Sequence, residues 1–154
     1  MQSTEESSRA VDSQDLKRRF GGILRLYGEQ ALARFSAARV CVLGIGGVGS
    51  WAAEALARSA VGHITLVDLD HVAESNINRQ CHALESTLGM AKVQVMAARI
   101  RQINPACQVT AIEEFLTVEN LEALLGDHFD YIIDCIDGFR TKARLIAWCR
   151  SNKL

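Results

Sequence analysis

The sequence predicts an α/β fold with a doubly wound, mostly parallel sheet. From residue 39 onward, short apolar runs typical of buried strands alternate with segments of helical periodicity, as in a chain of βαβ units. The first apolar run, residues 39–44, passes directly into glycines, and the next, residues 63–68, ends in an acid 24 positions after the first glycine. This order of strand, glycine turn, helix, strand and acid is that of a Rossmann-like nucleotide-binding unit.

The residues before the sheet divide into a tail and a helical region. Residues 1–15 are polar and acidic with no apolar period, which predicts a disordered tail. Residues 16–35 carry apolar side chains at helical spacing, interrupted by Gly21, Gly22 and Gly28, so we expect two short helices rather than one. The domain itself is therefore expected to span residues 16–154.

The alternating part of the chain predicts four strands, over residues 39–44, 63–68, 107–112 and 130–135. Helices are expected over residues 47–59, 89–102, 117–125 and 138–151. Pro105 ends the second of these helices, and residues 117–120 offer a cap for the third. With right-handed crossovers the strand order becomes 3-2-1-4, which leaves strand 130–135 at the end of the sheet.

Composition and charge exclude several classes of protein. A chain of 154 residues with 49% hydrophobic content can bury a sizeable core as one domain. The net charge of −1 gives no global attraction to nucleic acid, although 13 of the 17 basic residues are arginine and leave a local arginine-rich surface open. Five cysteines without a C-x-x-C pair argue against a disulfide framework and a zinc site. No apolar run approaches a membrane span and no signal segment is present, so we expect a cytoplasmic protein with no membrane partner.

The glycine run fits the pattern G-x-G-x-x-G at Gly44, Gly46 and Gly49. In this pattern the first glycine permits a tight turn, the second lets the backbone approach a phosphate, and the third packs helix against strand. The helix that follows would direct its free N–H groups at a bound anion, and Asp68 is spaced to accept a hydrogen bond from a ribose hydroxyl. The pattern indicates a nucleotide and leaves NAD, FAD and ATP open.

Polar side chains also follow the other strands. Ligands of doubly wound sheets bind beyond the carboxyl ends of the strands, so residues 44–49, 68–79 and 134–137 should meet around one crevice. Each piece has a plainer interpretation. An acid after a strand is often a turn or helix cap, and Asn76, Arg79 or Lys92 alone would be a solvated loop or surface residue. Their coincidence at one edge predicts a site.

These segments resemble, in order and spacing, the adenylate-forming family of ubiquitin-activating and molybdopterin- or thiamin-sulfur-carrier-activating enzymes. The resemblance rests on Asp68-Leu-Asp70, Ser75-Asn-Ile-Asn-Arg-Gln80, Gly89-Met-Ala-Lys92 and Asp134-Cys-Ile-Asp137 after the glycine loop. It implies ATP and Mg²⁺ as cofactors. The implied nucleotide-binding residues are Gly44, Gly46, Gly47, Gly49, Asp68, Asp70, Asn76, Arg79 and Lys92. The implied catalytic residues are Arg79, Lys92 and Asp137, of which Asp137 is the implied metal ligand.

The chemistry of adenylation suits that set of charges. Arg79, Lys92 and Mg²⁺ would neutralise charge as pyrophosphate leaves an electrophilic α-phosphate. An NAD dehydrogenase needs no such cations, so the charges favour ATP over NAD.

Within the family, residues 18–28, 48–58 and 100–105 are similar to the tRNA threonylcarbamoyladenosine dehydratase branch. This similarity implies ATP-dependent activation of the threonylcarbamoyl carboxylate on adenosine 37 of tRNA, followed by ring closure with net loss of water. The carbamoyl nitrogen can attack the acyl-adenylate within the same substrate, so no protein nucleophile is required. The implied partners are tRNA carrying threonylcarbamoyladenosine, a second copy of the chain, and a cysteine-desulfurase or sulfur-acceptor system.

The sequence departs from the family pattern in three places. An arginine that reaches across the dimer in the sulfur-carrier activators is replaced here by glycine after Phe20, so Arg18, Arg19 or Arg25 would have to substitute. The family's Asp-Asn with a following Arg becomes Asp137-Gly138 with Lys142. The chain also stops where the next strand of such a sheet is expected, so we expect the C-terminal part of the family fold to be absent and the edge strand to be prone to association, with weak nucleotide binding and no tRNA processing.

Three other functions stay open on the residues alone. The first is adenylation of the C-terminal glycine of a ubiquitin-like sulfur-carrier protein, which uses the same chemistry on another carboxylate. The second is an NAD(P)-binding reductase, supported only by the glycines and Asp68. The third is a nucleotide-binding module without catalysis.

Overall fold

The computed structural model describes residues 13–126 and 129–154. The helices and strands are, in chain order, α1 Ser13–Arg19, α2 Gly21–Tyr27, α3 Glu29–Ala37, β1 Arg39–Leu43, α4 Gly49–Arg58, β2 His63–Val67, α5 Lys92–Ile103, β3 Gln108–Ile112, α6 Leu121–Leu125, β4 Tyr131–Asp134 and α7 Phe139–Ser151. Two short 3-10 turns, Glu74–Asn76 and Glu85–Thr87, lie between β2 and α5. No helix in the described part of the chain is long and apolar enough to cross a membrane.

The strands form one parallel sheet in the order β3-β2-β1-β4. Val42 on β1 is aligned with Leu66 on β2 and with Ile133 on β4. This confirms the α/β class and the predicted strand order, including the place of β4 at the end of the sheet. Tyr131 on that edge strand is 67% exposed.

Alternate residues of β1 enter two separate cores. Val40 and Val42 pack in the core formed with α4 and α5, whereas Cys41 and Leu43 pack in the core formed with α6 and α7. Because side chains alternate across a strand, this pattern places helices on both faces of the sheet. The sheet is therefore doubly wound, and its strand ends face the edge where a ligand is expected.

The N-terminal region differs from the sequence expectation in two ways. Three short helices occupy it rather than two, because Gly28, with φ +84°, ends α2 and begins a new helix. Residues 13–15 belong to α1 and not to a disordered tail, while residues 1–12 of the predicted tail lie outside the described residues. Phe20 and Leu32 of this region are buried together with Ala60, which fastens the helices to the end of α4.

Several predicted helix starts are early by two to four residues. The helix predicted from residue 47 begins at Gly49, the one from residue 89 at Lys92, and the one from residue 117 at Leu121. The last shift has a local cause: the Thr117 N–H donates to Asn120 Oδ1 and the Asn120 N–H to Thr117 Oγ1, which closes a turn before α6.

Candidate functional site

A cavity of about 800 Å³ lies at the carboxyl edge of the sheet. The glycine loop, the segment after β2, the start of α5 and the segment between β4 and α7 all line it. Of the sequence-predicted site residues, Gly44, Gly46, Gly47, Asp68, Asp70, Asn76, Arg79, Lys92 and Asp137 line the cavity. A second cavity, at the opposite edge beside Arg39, His63 and Gln108, is about ten times smaller at about 80 Å³.

Gly49 is the one predicted residue that does not line the cavity. A Cβ at this position would lie 1.7 Å from the carbonyl oxygen of Gly44, so only glycine allows α4 to start this close to the turn. Gly44 itself has φ +84° and a carbonyl oxygen of Cys135 2.8 Å from where its Cβ would be. The absence of side chains at these two glycines lets the loop pack closely against α4 and Cys135 on one side. The other side of the loop faces the cavity.

The open face of the loop presents unused hydrogen-bond donors. No described residue accepts a hydrogen bond from the backbone N–H groups of Gly46, Gly47 and Val48. A Cβ at Gly46 would meet nothing within 4 Å, so there is space above the backbone. Free N–H groups next to the start of a helix favour a bound anion.

Asp68 fixes the loop to the end of β2. It is 8% exposed, and its carboxylate accepts hydrogen bonds from the Ile45 N–H (2.5 Å) and the Asp70 N–H (2.8 Å). A carboxylate has about four lone-pair positions, so this structural role leaves capacity for a hydroxyl donor on the cavity side.

Arg79 packs against the glycine loop at Gly47. Its side-chain stem would be 3.4 Å from a Cβ on Gly47, and its Nη1 donates to the Ser75 carbonyl (2.7 Å) and to Asn78 Oδ1 (3.0 Å). The Arg79 carbonyl accepts a hydrogen bond from Trp51 Nε1, which ties this segment to α4. No carboxylate among the described residues pairs with Arg79, so its charge is available to a ligand.

Lys92 is an almost buried cation at the first residue of α5. Its side chain is 6% exposed, and Nζ lies 2.9 Å from Asp70 Oδ2. The Lys92 N–H also donates to the Asp70 carbonyl at 3.0 Å, so backbone and side chain together hold Lys92 toward the cavity. Burying an ammonium is costly unless it is paired, and Asp70, which is half exposed, supplies that pairing.

Asn76 also lines the cavity, and its side-chain amide is an uncharged hydrogen-bond donor. Its Oδ1 accepts the Ala73 N–H at 3.0 Å, which orients the amide. The side chain is 8% exposed, and none of the described residues accepts a hydrogen bond from its Nδ2.

The two acids after β4 have different surroundings. Asp134 is paired with Lys142 at 2.7 Å, whereas Asp137 is exposed, lines the cavity and has no ion pair with any described residue. No group of three or more His, Cys, Asp or Glu side chains among the described residues could hold a metal ion by itself. A single carboxylate is nevertheless a fitting ligand for Mg²⁺, which is usually bound by one or two carboxylates plus phosphates and water.

Sequence reasoning missed part of the cavity wall. Gln80, Thr141 and the segment of residues 114–116 also line it. Residues 114–116 follow the end of β3. The rule that ligands bind beyond the carboxyl ends of the strands could therefore have identified them from the sequence.

Two buried titratable side chains, Glu54 on α4 and His82, have shifted pKa values. Hydrogen bonds from Arg99 and Arg58 lower the pKa of Glu54 to about 2. Burial lowers the pKa of His82 to about 4, with a contribution from the charge of Lys92. At neutral pH this region therefore holds an anionic Glu54 and an uncharged His82.

Comparisons with known proteins agree on one family. The ThiF family model matches residues 18–154. The chain is 56% identical over 144 residues to the tRNA threonylcarbamoyladenosine dehydratase of Escherichia coli, covering 94% of this chain and 54% of that protein. It is 35% identical over 127 residues to the molybdopterin-synthase adenylyltransferase of the same organism, covering 82% of this chain and 49% of that protein.

Solved structures give the same result. The crystal structure of the E. coli tRNA N6-threonylcarbamoyladenosine dehydratase TcdA in complex with ATP has a TM-score of 0.91 at 56% identity. The alignment covers 94% of this chain and 59% of that one. The complex of the same protein with AMP has a TM-score of 0.90. The chain spans about half the length of the curated relatives it matches.

Proposed function

The chain belongs to the ThiF family, and from that membership we propose that it is the ATP-binding part of a tRNA threonylcarbamoyladenosine dehydratase. The proposed reaction adenylates the carboxylate of threonylcarbamoyladenosine at position 37 of tRNA and then closes the ring. The observation that carries the proposal is one cavity that combines a glycine loop with free N–H groups, the cations Arg79 and Lys92, and the unpaired carboxylate of Asp137. A cytoplasmic location, where the tRNA substrate is found, belongs to the same proposal.

We propose that ATP lies across the glycine loop. The free N–H groups of Gly46 and Gly47 would bind the phosphates, together with Arg79, Lys92 and Asn76, which line the same cavity. Asp68 would accept a ribose hydroxyl while it keeps its hydrogen bonds to the loop. Asp70 and Gly44 complete the nucleotide site, and Gly49 acts from behind through its packing on the turn.

In the adenylation step, a carboxylate oxygen of the substrate bonds to the α-phosphorus and pyrophosphate leaves. Negative charge grows on the departing phosphates, and a preformed cation near them lowers the barrier without reorganisation. Arg79 and Lys92 are held by hydrogen bonds before ligand binds, which suits this role. Asp137 is the residue that would hold Mg²⁺, and the ion supplies further stabilisation of phosphate charge.

In the second step, the carbamoyl nitrogen bonds to the acyl carbon and AMP leaves with the former carboxylate oxygen. Both reacting groups belong to one nucleoside, so orientation within the cavity replaces a protein nucleophile. This interpretation assigns no covalent role to Cys81 and Cys135, whose pKa values burial raises above the ordinary thiol value.

We also propose that two copies of the chain associate through the N-terminal helices. Leu26 and Tyr27 on α2 are 70% and 57% exposed, which is unusual for large apolar side chains on one short helix. Of the three candidate cross-dimer arginines, Arg18 and Arg19 pair with Asp15, whereas Arg25 has no ion pair among the described residues. Arg25 is therefore our candidate. A monomer at high micromolar concentration in light scattering would contradict the association.

One alternative has a specific observation in its favour. The identity of 35% to a molybdopterin-synthase adenylyltransferase supports adenylation of a sulfur-carrier protein, with a cysteine desulfurase or sulfur acceptor as a further partner. An NAD(P)-dependent reductase is disfavoured, because hydride transfer develops no charge on a departing phosphate that Arg79 and Lys92 would neutralise.

Exchange of labelled pyrophosphate into ATP distinguishes these functions. Because the chain spans about half the length of the curated relatives it matches, the exchange is measured in a full-length protein that contains this chain. There we expect exchange to depend on tRNA that carries threonylcarbamoyladenosine, and not on the same tRNA with unmodified adenosine 37. Exchange that depends instead on a sulfur-carrier protein with a free C-terminal glycine would assign the alternative. Arg79→Ala should reduce the exchange about 10²- to 10³-fold, the loss typical of one preorganised electrostatic group.

A further inference from the structure

The outer face of α7 is an arginine-rich surface that begins at the rim of the cavity. Residues 139–154 contain five basic residues and no acidic one, in a chain that has 18 acidic residues against 17 basic ones. The outer face is defined by eight exposed residues on one side of the helix, namely Phe139, Arg140, Ala143, Arg144, Ile146, Ala147, Arg150 and Ser151.

The arginines on this face have no acidic partner. Neither Arg140, Arg144 nor Arg150 makes an ion pair or a side-chain hydrogen bond with any described residue. Most other cations in the described part of the chain are paired: Lys17 with Glu29, Arg58 and Arg99 with Glu54, and Lys92 with Asp70. Arg25, Arg34 and Arg101 also lack acidic partners among the described residues, but each lies on a different helix, whereas the outer face of α7 carries three such arginines.

The place of this face in the fold connects it to the nucleotide site. Gly138, the N-cap of α7, and Thr141 in its first turn both line the cavity, and Arg140 lies between them in the chain. The helix then runs away from the cavity for 13 residues, about 20 Å at 1.5 Å per residue. A polyanion bound along α7 would thus reach the cavity at one end.

We propose that the outer face of α7 binds the phosphate backbone of the tRNA substrate, with Arg140 and Arg144 as its principal contacts. This inference rests on the proposed function, and adds where the RNA lies. Arginines at positions i and i+4 have Cβ atoms about 5–6 Å apart, so their two planar donors project from one side of a helix. The small side chains of Ala143 and Ala147 beside them leave the guanidinium groups accessible to phosphates.

An acidic protein is the competing partner, and the composition of the face disfavours it. Protein interfaces are held by apolar anchors near their centre. The large apolar residues of the outer face, Phe139 and Ile146, lie along one edge of it, and Arg140 and Arg144 lie toward the other edge.

The test is the affinity of the 154-residue chain for tRNA as a function of salt. The variant is Arg140→Ala/Arg144→Ala. The matched control is Arg34→Ala/Arg101→Ala, which removes two exposed arginines without acidic partners from α3 and α5 and changes the net charge equally. Mg·ATP affinity and the melting temperature are measured for each, so that a folding defect is recognised.

We expect the α7 variant to bind tRNA about tenfold more weakly or worse near 0.1 M salt, because two phosphate contacts are lost. The slope of log affinity against log salt should fall by about 1.4–1.8, at roughly 0.7–0.9 per contact. The control should stay within twofold of the wild type, and Mg·ATP affinity should not change in either variant. The presence of threonylcarbamoyladenosine should not matter for this binding, since phosphates carry the contact.

Two results would overturn the proposal. Unchanged tRNA affinity in the α7 variant, or equal losses in the control, would show that this face is not the RNA contact. Weaker binding of an acidic sulfur-carrier protein with unchanged tRNA binding would assign the face to a protein partner. Neither result would touch the proposed function, which fails only if pyrophosphate exchange does not depend on the modified nucleoside.

Discussion

Replacing Lys92 by alanine tests the proposed catalytic cations most sharply. The Lys92 side chain is 6% exposed, its Nζ lies 2.9 Å from Asp70 Oδ2, and both residues line the cavity. A cation held in that position acts on charge that develops on departing pyrophosphate more than on charge already present in bound ATP. We therefore expect Lys92→Ala to reduce the pyrophosphate exchange rate about 10²- to 10³-fold, or about 2.7–4 kcal/mol, with a much smaller change in ATP affinity.

The structure also limits the damage that this substitution does to folding. Its partner Asp70 has a side chain that is 53% exposed, so water can solvate the carboxylate once the lysine is gone. Lys92 itself is buried, so removing its aliphatic stem also costs packing energy. Lys92→Met keeps the stem and removes the charge, so its exchange rate, measured with its melting temperature, separates a catalytic loss from unfolding.

The assay is pyrophosphate exchange at saturating ATP, with ATP affinity measured separately by calorimetry. Lys17→Ala is the matched control, because it also removes a lysine paired with a carboxylate, at 2.5 Å from Glu29, but on a surface remote from the cavity. An exchange rate in Lys92→Ala within about threefold of the wild type at saturating ATP would show that Lys92 is not a catalytic cation. If ATP affinity alone fell, Lys92 would be a uniform binding group.

The remaining predictions concern the metal, the loop and the core. Asp137→Ala should weaken Mg·ATP far more than AMP in calorimetry, since AMP lacks the phosphates that a metal bridges; equal effects on both would remove Asp137 from the metal site. Gly49→Ala should destabilise the fold by about 3 kcal/mol or more in urea unfolding, because its Cβ would lie 1.7 Å from a backbone oxygen, while Gly46→Ala, with open space, should cost less than about 1 kcal/mol. Burial lowers the pKa of His82 from 6.5 to about 4, so the unfolded chain takes up a proton before the folded protein does as the pH falls. The free energy of unfolding should therefore fall by up to about 3 kcal/mol between about pH 6.5 and pH 4. His82→Leu should remove that part of the pH dependence.

The fold was predictable because its signals are local and periodic. The strand order, the double winding and the place of β4 all follow from apolar runs joined by crossovers of ordinary handedness. Helix starts were less predictable, because they depend on hydrogen bonds between particular side chains and backbone groups. The turn that Thr117 and Asn120 close before α6 is one example. The split of the N-terminal region at Gly28 depends on a positive φ that spacing alone does not reveal.

The candidate site was predictable as a set of positions but not as a set of contacts. The sequence placed Lys92 and Asp70 on the same edge, yet only the structure shows that Asp70 pairs with the lysine. It likewise assigned Asp68 to a ribose, whereas the structure adds its hydrogen bonds to Ile45 and Asp70, which hold the glycine loop. The contacts of Asp68 with Ile45 and of Asp70 with Lys92 join residues more than twenty positions apart, and no local pattern encodes them.

Calorimetric titration of the chain with ATP and with NAD tests the central claim, that this cavity is a Mg·ATP site. We expect measurable binding of ATP, weakened when Mg²⁺ is chelated and when Asp137 is replaced by alanine, and no binding of NAD at the same concentration. Binding of NAD as tight as that of ATP, unaffected by Mg²⁺, would contradict it.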